Sequence, residues 1–440
     1  MPPREQDSPG SGNKRRWRVP PPLVRDPVAG GPVGIAVIEE IPTPFGTVLW
    51  SLLRAVLLWS DADPEARDTL FPLGLGERRR REARDTASDD DADVLPSLDR
   101  LIRVLERGAS ADPALVGVAC ARIGAWAREA GYPRTSVEFL QLAALVDPGE
   151  GRHPLAVARQ LLEAGQTARA ESWLQRAVGM SRRRKDWEPY IDAYVLHGHM
   201  MIERGAFPAA RTSLLKALRR SLRQGNRSQE ASVRHVCFLL EASSGDLTAA
   251  AREALAAVDA FSPDHPHLPV FALELADILA RSGAQRDAFD LLTPIQERLA
   301  EADRARALGL LALSAGVLGE RGAFRRAHQA LDRLWTAPGS AEPWADATSG
   351  ALALGNPAQS RKLAKRAEAM ARRMGENLDR FEATVLLETQ GAATPSADIE
   401  PGMDRERVMA IRSFREVAHQ VRGLLSMNVR PTLHTEGRAS

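Results

Sequence analysis

Histidines and acids that fall close together are where this chain could hold a metal or move a proton. His197 and His199 stand two residues apart in an apolar run. On a helix that spacing turns the two rings to different faces, so they do not chelate one ion. Asp264, His265 and His267 fall in a proline-broken loop, and no ligand set is expected from so loose a segment. The adjacent acids Glu39 and Glu40 have no histidine or nucleophile that the sequence places beside them. Phosphate loops, dinucleotide fingerprints, zinc-protease helices and nucleophile elbows do not occur as motifs. These residues point to a protein that is not an enzyme and carries neither cofactor nor metal.

Charge and cysteine usage narrow the partners. The 440 residues hold 59 Lys plus Arg against 57 Asp plus Glu, a formal net charge of +2. No global field therefore draws the chain to nucleic acid or membrane. Basic clusters are local: Lys14-Arg15-Arg16-Trp17-Arg18, Arg182-Arg183-Arg184-Lys185, Arg219-Arg220 with Arg223, and the stretch 361–373. The internal ones read as solvated helix faces. The first, with its tryptophan, is the one suited to nucleic acid or an anionic surface. Cys120 and Cys237 sit in apolar helical patterns with no ligand-like spacing, which fits a reducing cytoplasm. The opening residues lack the apolar core of a signal peptide. The greasiest run, 48–59, is short and holds Arg54, so no membrane span is expected.

Helices must position whatever this chain does. Hydrophobic residues make up 44% of it and aromatics only 5%, a balance of Ala and Leu that suits close helix packing. Residues 1–43 read as a mostly disordered tail, with one short strand over 33–41. Residues 44–93 read as a short helical module and a charged linker. Pro44 opens a helix there, with Val48, Leu49, Leu52, Leu53, Val56 and Leu57 at helical spacing. The blocks Glu77-Arg78-Arg79-Arg80-Arg81 and Asp89-Asp90-Asp91 form the linker.

After Val94 the chain becomes periodic. In 194–218, Tyr194 and Gly198 precede Gly205-Ala206-Phe207, and Ala210, Leu214 and Ala217 follow at intervals of four and three. The same turn glycine with a helical pattern after it recurs at Gly131, Gly165, Gly245, Gly283, Gly322 and Gly355. The steps between these seven are 34, 40, 40, 38, 39 and 33 residues. A step of this size, repeated, marks an array of helical hairpins. Phe238 in a slot for a small residue and Pro294 inside a second helix predict irregular packing of their units.

The pattern resembles the tetratricopeptide repeat family over residues 113–375, and is not specific for 1–93. The resemblance implies an all-α solenoid of helical hairpins, wound as a right-handed superhelix, over 94–390. A linker at 391–402, a C-terminal amphipathic capping helix at 403–427 and a disordered tail at 428–440 complete the layout. The helix has two docking modes: on the helix containing Phe381, capping the array, or back in the groove. First helices of such arrays line a concave groove that takes a protein or peptide segment. Counting from the turn glycines, the polar residues facing that groove are Arg152, Arg159, Asp192, His199, Glu203, His235, Asp277 and Arg281. Their mixed signs argue against nucleic acid. The chaperone-carboxylate clamp is rejected too, since its places hold Arg159, His199, Leu239 and Asp277.

The functional expectation is a non-enzymatic protein-binding scaffold in the cytoplasm. Two alternatives remain open. One is a bacterial signalling or transcription regulator resembling phosphatases or peptide-pheromone receptors with a repeat sensor region. No helix-turn-helix is found, however, and no Gln occurs between Gln6 and Gln141. The other is a nucleic-acid-associated factor working through the basic tail.

Overall fold

The computed structural model describes residues 33–334, 340–374 and 405–427. The tails 1–32 and 428–440, the linker 391–402 and the eighth-unit residues near Phe381 lie outside them. Every regular element among the described residues is helical. The chain divides into two compact units, 1–220 and 221–440.

The first unit begins with α1 (Ile35–Glu40) and α2 (Pro44–Asp61), followed by α3 (Leu75–Thr86) and α4 (Leu95–Glu106). The strand expected at 33–41 is therefore a helix. The cause lies far away in sequence. The Glu40 carboxylate accepts the backbone N–H groups of Arg134 and Thr135 at 3.0 and 2.7 Å. Those donors open α6 (Pro133–Val146), and an acid there satisfies orphan donors and suits the helix dipole. Glu39 pairs with Arg134 at 2.7 Å, and Gly34 donates its N–H to the buried Glu138 carboxylate at 3.1 Å. The paired acids thus clamp an N-terminal helix in place.

The charged linker is also corrected. Arg80 and Ala83 share one face of α3, and that face packs on α4. Ala83 is buried, while Arg80 reaches Asp99 and Glu106 of α4, both at 2.7 Å. Gly76 leaves room for Glu106, whose side chain would meet an added Cβ at 2.3 Å. Opposite charges meet across a helix pair here instead of neutralising a solvated loop. Nor do residues 44–93 stand apart from the repeats. Leu49, Leu52, Leu53 and Trp59 share one core with Leu98, Leu101 and Ile102, and with Ile123 and Phe139 of the first hairpin. Trp59 donates its indole N–H to the Gly108 carbonyl at 2.7 Å.

That hairpin pairs α5 (Pro113–Glu129) with α6. Next come α7 (Arg152–Glu163) with α8 (Thr167–Arg184), and α9 (Trp187–Glu203) with α10 (Phe207–Gln224), within which the unit boundary falls. Close approach inside hairpins needs small residues, as at Gly198, where a Cβ would stand 2.7 Å from Leu214.

Among the described residues the second unit holds four hairpins. These are α11 (Arg227–Ser243) with α12 (Leu247–Ala260), α13 (Leu268–Arg281) with α14 (Gln285–Leu292), α15 (Glu301–Val317) with α16 (Arg321–Arg333), and α17 (Glu342–Ala353) with α18 (Pro357–Met374). Pro294 cuts α14 short, because its ring cannot continue the helix. The C-terminal helix α19 (Arg405–Met427) lies against α12, α13 and α14. The helix containing Phe381, on which the capping mode places it, lies outside the described residues.

The hairpin turns share one geometry. Gly205 has φ +68, donates its N–H to the Ile202 carbonyl, and Ala206 donates to Met201. This is the paired closure of a helix C-terminus that favours glycine in the left-handed region. The same pair of bonds closes α5, α7, α11, α13, α15 and α17. One turn glycine is misplaced in the sequence reading: at the α15 end it is Gly319, with φ +75, and Gly322 lies inside α16. The corrected positions 283, 319 and 355 are evenly spaced, 36 residues apart.

Candidate partner-binding site

First helices carry the eight residues expected to face a partner. In the first unit, Arg152 at the start of α7 pairs with Glu188 in the first turn of α9 at 2.6 Å. The pair spans two successive first helices. Arg159 on α7 and Glu203 at the end of α9 are exposed. Asp192 and His199 on α9 are half-buried. His197, two residues from His199, is buried with its Nδ1 2.9 Å from the Ser213 hydroxyl, and burial pushes its pKa down. The two rings are thus in different surroundings, as their spacing requires.

An aromatic ladder runs along the same helix. Trp187, Tyr190 and Tyr194 meet edge to face, with ring centroids 5.6 and 4.9 Å apart. Arg220 stacks on Trp187 at 3.6 Å and Lys216 lies over Tyr194 at 5.1 Å. Burial of the Tyr194 phenol raises its pKa well above the ordinary tyrosine range. The basic residues of α10 therefore serve as lids on these rings, a role that helical spacing alone does not reveal.

In the second unit His235 is buried, its ring edge-on to Phe271 at 5.3 Å. It packs in the core and is not presented to a partner. Asp277 and Arg281 come together on the last turn of α13 at 2.6 Å, and Arg281 also reaches Glu342 of α17 at 2.5 Å. Burial raises the Asp277 pKa, with Arg281 pulling the other way. Beside them, Arg306 of α15 grips both oxygens of Glu274 at 3.0 and 3.3 Å.

Asp346 of α17 completes this face, and the sequence reading missed it. Only 8% of the residue is exposed, and burial pushes its pKa up to about 7 despite the Arg281 charge. An unshifted aspartate ionises near 3.8. The native state is thus penalised once Asp346 is charged: the cost is absent below pH 4, grows as pH rises towards 7, and is full above it. Asp346→Asn is expected to stabilise the second unit at pH 8, on the order of 2–4 kcal/mol, with the gain vanishing near pH 4. Urea unfolding at the two pH values measures it. A gain that does not change with pH would show that Asp346 titrates normally.

Among the described residues, no three His, Cys, Asp or Glu side chains converge as metal ligands, and no helix is long and apolar enough to cross a membrane. Cys120 and Cys237 are free and buried, and burial raises the Cys120 thiol pKa.

No family model matches the chain, and no curated protein matches it. Solved structures do. The crystal structure of a Rap protein complexed with competence and sporulation factor is 12% identical, with a TM-score of 0.43, over 80% of this chain and 97% of that one. The P58(IPK) TPR domain is 11% identical, with a TM-score of 0.21, over 72% of this chain and all of that one. A circular tandem repeat protein is 15% identical, with a TM-score of 0.14, over 88% of each. The tetratricopeptide-like fold stands on the chain's own repeated hairpins and their common turn closure.

Proposed function

We propose that this chain is a non-enzymatic cytoplasmic scaffold that holds a peptide segment of a partner protein on the first-helix faces of its hairpins. The observation that carries this reading is the division of labour between helix surfaces. Small apolar residues such as Ala158, Gly198, Ala276 and Ala312 are buried, whereas Arg159 and Glu203 point to solvent from neighbouring first helices. Among the described residues neither side chain has a hydrogen bond or ion pair, which leaves both available to a partner. A rigid helical face with unspent charge binds an extended or helical segment without first having to order itself.

A photocrosslinking residue placed at 159 or 203 should trap one recurrent partner, and one placed at Arg219 on α10 should not. For that partner, changing Arg159 and Glu203 together to Ala is expected to weaken binding about tenfold, as loss of a charged anchor does. The melting temperature should stay put, since exposed substitutions usually cost under about 0.5 kcal/mol. Equal trapping from position 219 would move the binding face to the second helices. Arg220 is no neutral control for such work, because it stacks on Trp187.

A further inference from the structure

We infer that the cleft between α16 and α18 binds an acidic segment of a partner protein through Arg321, Arg325 and Lys362. The site lies on second helices and goes beyond the first-helix reading above. The cleft holds about 680 Å³, within the range of ordinary ligand sites. Its wall on α16 runs from Arg321 to Asp332, and α18 contributes Gln359 and Lys362. A helix of that length spans about 18 Å, the reach of roughly five extended residues. The register of the array explains why the cleft is open. One hairpin earlier, Arg286 crosses to Glu320 at 3.3 Å and ties neighbouring hairpins at their turn ends. Gly322 and Asn356 stand 36 residues after that pair, the spacing of the turn glycines. Neither carries a charge, so the bridge cannot be repeated.

Charge decides what enters. Arg321 and Arg325 lie one helical turn apart on α16, and both are exposed, as is Lys362. Among the described residues none of these three side chains has a hydrogen bond or ion pair. Asp332 is the one acid among the described lining residues. One of its oxygens is taken by Arg366, and the other stands 3.6 Å from His328. Three cations thus border the cleft with no acid left there to balance them. Burial lowers the His328 pKa, and the charges of Arg366 and Lys362 lower it further, so this ring already feels a positive field. Concave walls of low dielectric focus such a field on whatever the cleft holds. A bare phosphate would use the cations alone. Phe324 and Leu354 also line the cleft and can take an apolar side chain, while the Gln329 amide suits a peptide backbone. That lining favours an acidic peptide.

Fluorescence anisotropy with a labelled pentaglutamate peptide on the full chain, in physiological salt, tests this. Pentaglutamate is expected to bind, and pentaglutamine is not. Arg325→Gln and Lys362→Gln should each weaken pentaglutamate about threefold, and the two combined with Arg321→Gln about thirtyfold. Arg326→Gln, on α16 but outside the cleft lining, should change nothing. Absence of pentaglutamate binding overturns the site. Equal weakening by Arg326→Gln and Arg325→Gln does so too, since it would mean diffuse attraction. A polyuridylate strand that bound more tightly through the same three cations would make the ligand a nucleic acid and overturn the peptide assignment. Asp398→Asn, Glu400→Gln and Asp404→Asn together should leave the affinity unchanged. Tighter binding by that triple variant would make the chain's own acidic linker the occupant and overturn the external partner.

Discussion

Changing Gly316 to alanine is expected to remove roughly 3 kcal/mol or more from the second unit, although it adds one methyl group. Overpacking usually costs about 1–3 kcal/mol because side chains rotate out of the way. Here no side chain can yield. An added Cβ on Gly316 would stand 2.2 Å from the Gly350 carbonyl oxygen of α17. Gly350 in turn leaves only 2.4 Å to the Ala312 oxygen of α15, and Gly309 leaves 2.5 Å to the Pro343 Cα. The two helices meet backbone to backbone along three glycines, so a methyl group must separate them and disturb the face that carries Arg306 and Asp346. At a turn the cost should be smaller. Gly355 has φ +70 and open space around its missing Cβ, so Gly355→Ala should cost only about 1 kcal/mol. Thermal unfolding followed by helical circular dichroism compares the two. If Gly316→Ala melted like the parent while Gly355→Ala did not, the close approach of α15 and α17 would be wrong.

Much of the fold was legible because a repeat writes the same constraint many times. Six of the seven expected turn glycines, Gly131 to Gly283 and Gly355, do sit at positive φ where a first helix closes. The seventh was misread because Gly322-Ala323-Phe324 copies the tripeptide Gly205-Ala206-Phe207. The feature that decides is the helix end, and that end needs the left-handed residue at Gly319. The three-residue error also hid the register that aligns Gly322 and Asn356 with Arg286 and Glu320, since the spacing of 36 residues shows only with Gly319 in place.

Other misses have a different cause. Glu40 makes a helix of 35–40 by capping α6, 94 residues away in sequence. Arg80 binds α3 to α4 through Asp99 and Glu106, 19 and 26 residues on. Local composition reads these segments as tail and linker because their partners are not local. His235 was expected on the surface by counting alone, and only the packing of Phe271 against it shows otherwise. Arg159 and Glu203 are exposed on their helices, a property that depends on helix phase and little else.

Deleting residues 403–440 is expected to unfold the second unit or leave it aggregating, the largest effect of any change considered. The sequence offered two modes for this helix, a cap and a groove-filler. In the structure α19 lies across α12, α13 and α14 as part of their core. Phe414, Val417, Ala418, Val421 and Leu425 are all buried. Phe414 meets Phe238 with ring centroids 6.2 Å apart, so the bulky residue in a small-residue slot has an aromatic partner 176 positions along the chain. Arg415 pairs with Asp287 at 3.1 Å and Arg422 with Asp290 at 2.8 Å, which fixes the helix along α14. Burying one large apolar side chain stabilises by about 1.5–3 kcal/mol, so the four large ones amount to roughly 6–12 kcal/mol. Whole domains have only about 5–15 kcal/mol to lose. The milder Phe414→Ala should cost about 3–5 kcal/mol and keep the unit folded enough to measure. Hydrogen exchange should place the loss in 221–374, with amides of α12 and α13 opening first. A synthetic 403–427 peptide added to the truncated chain should restore protection, because the seat left by α19 is apolar and flanked by Asp287 and Asp290. A truncated chain with unchanged melting and unchanged exchange in α12 would mean that α19 is not part of this core.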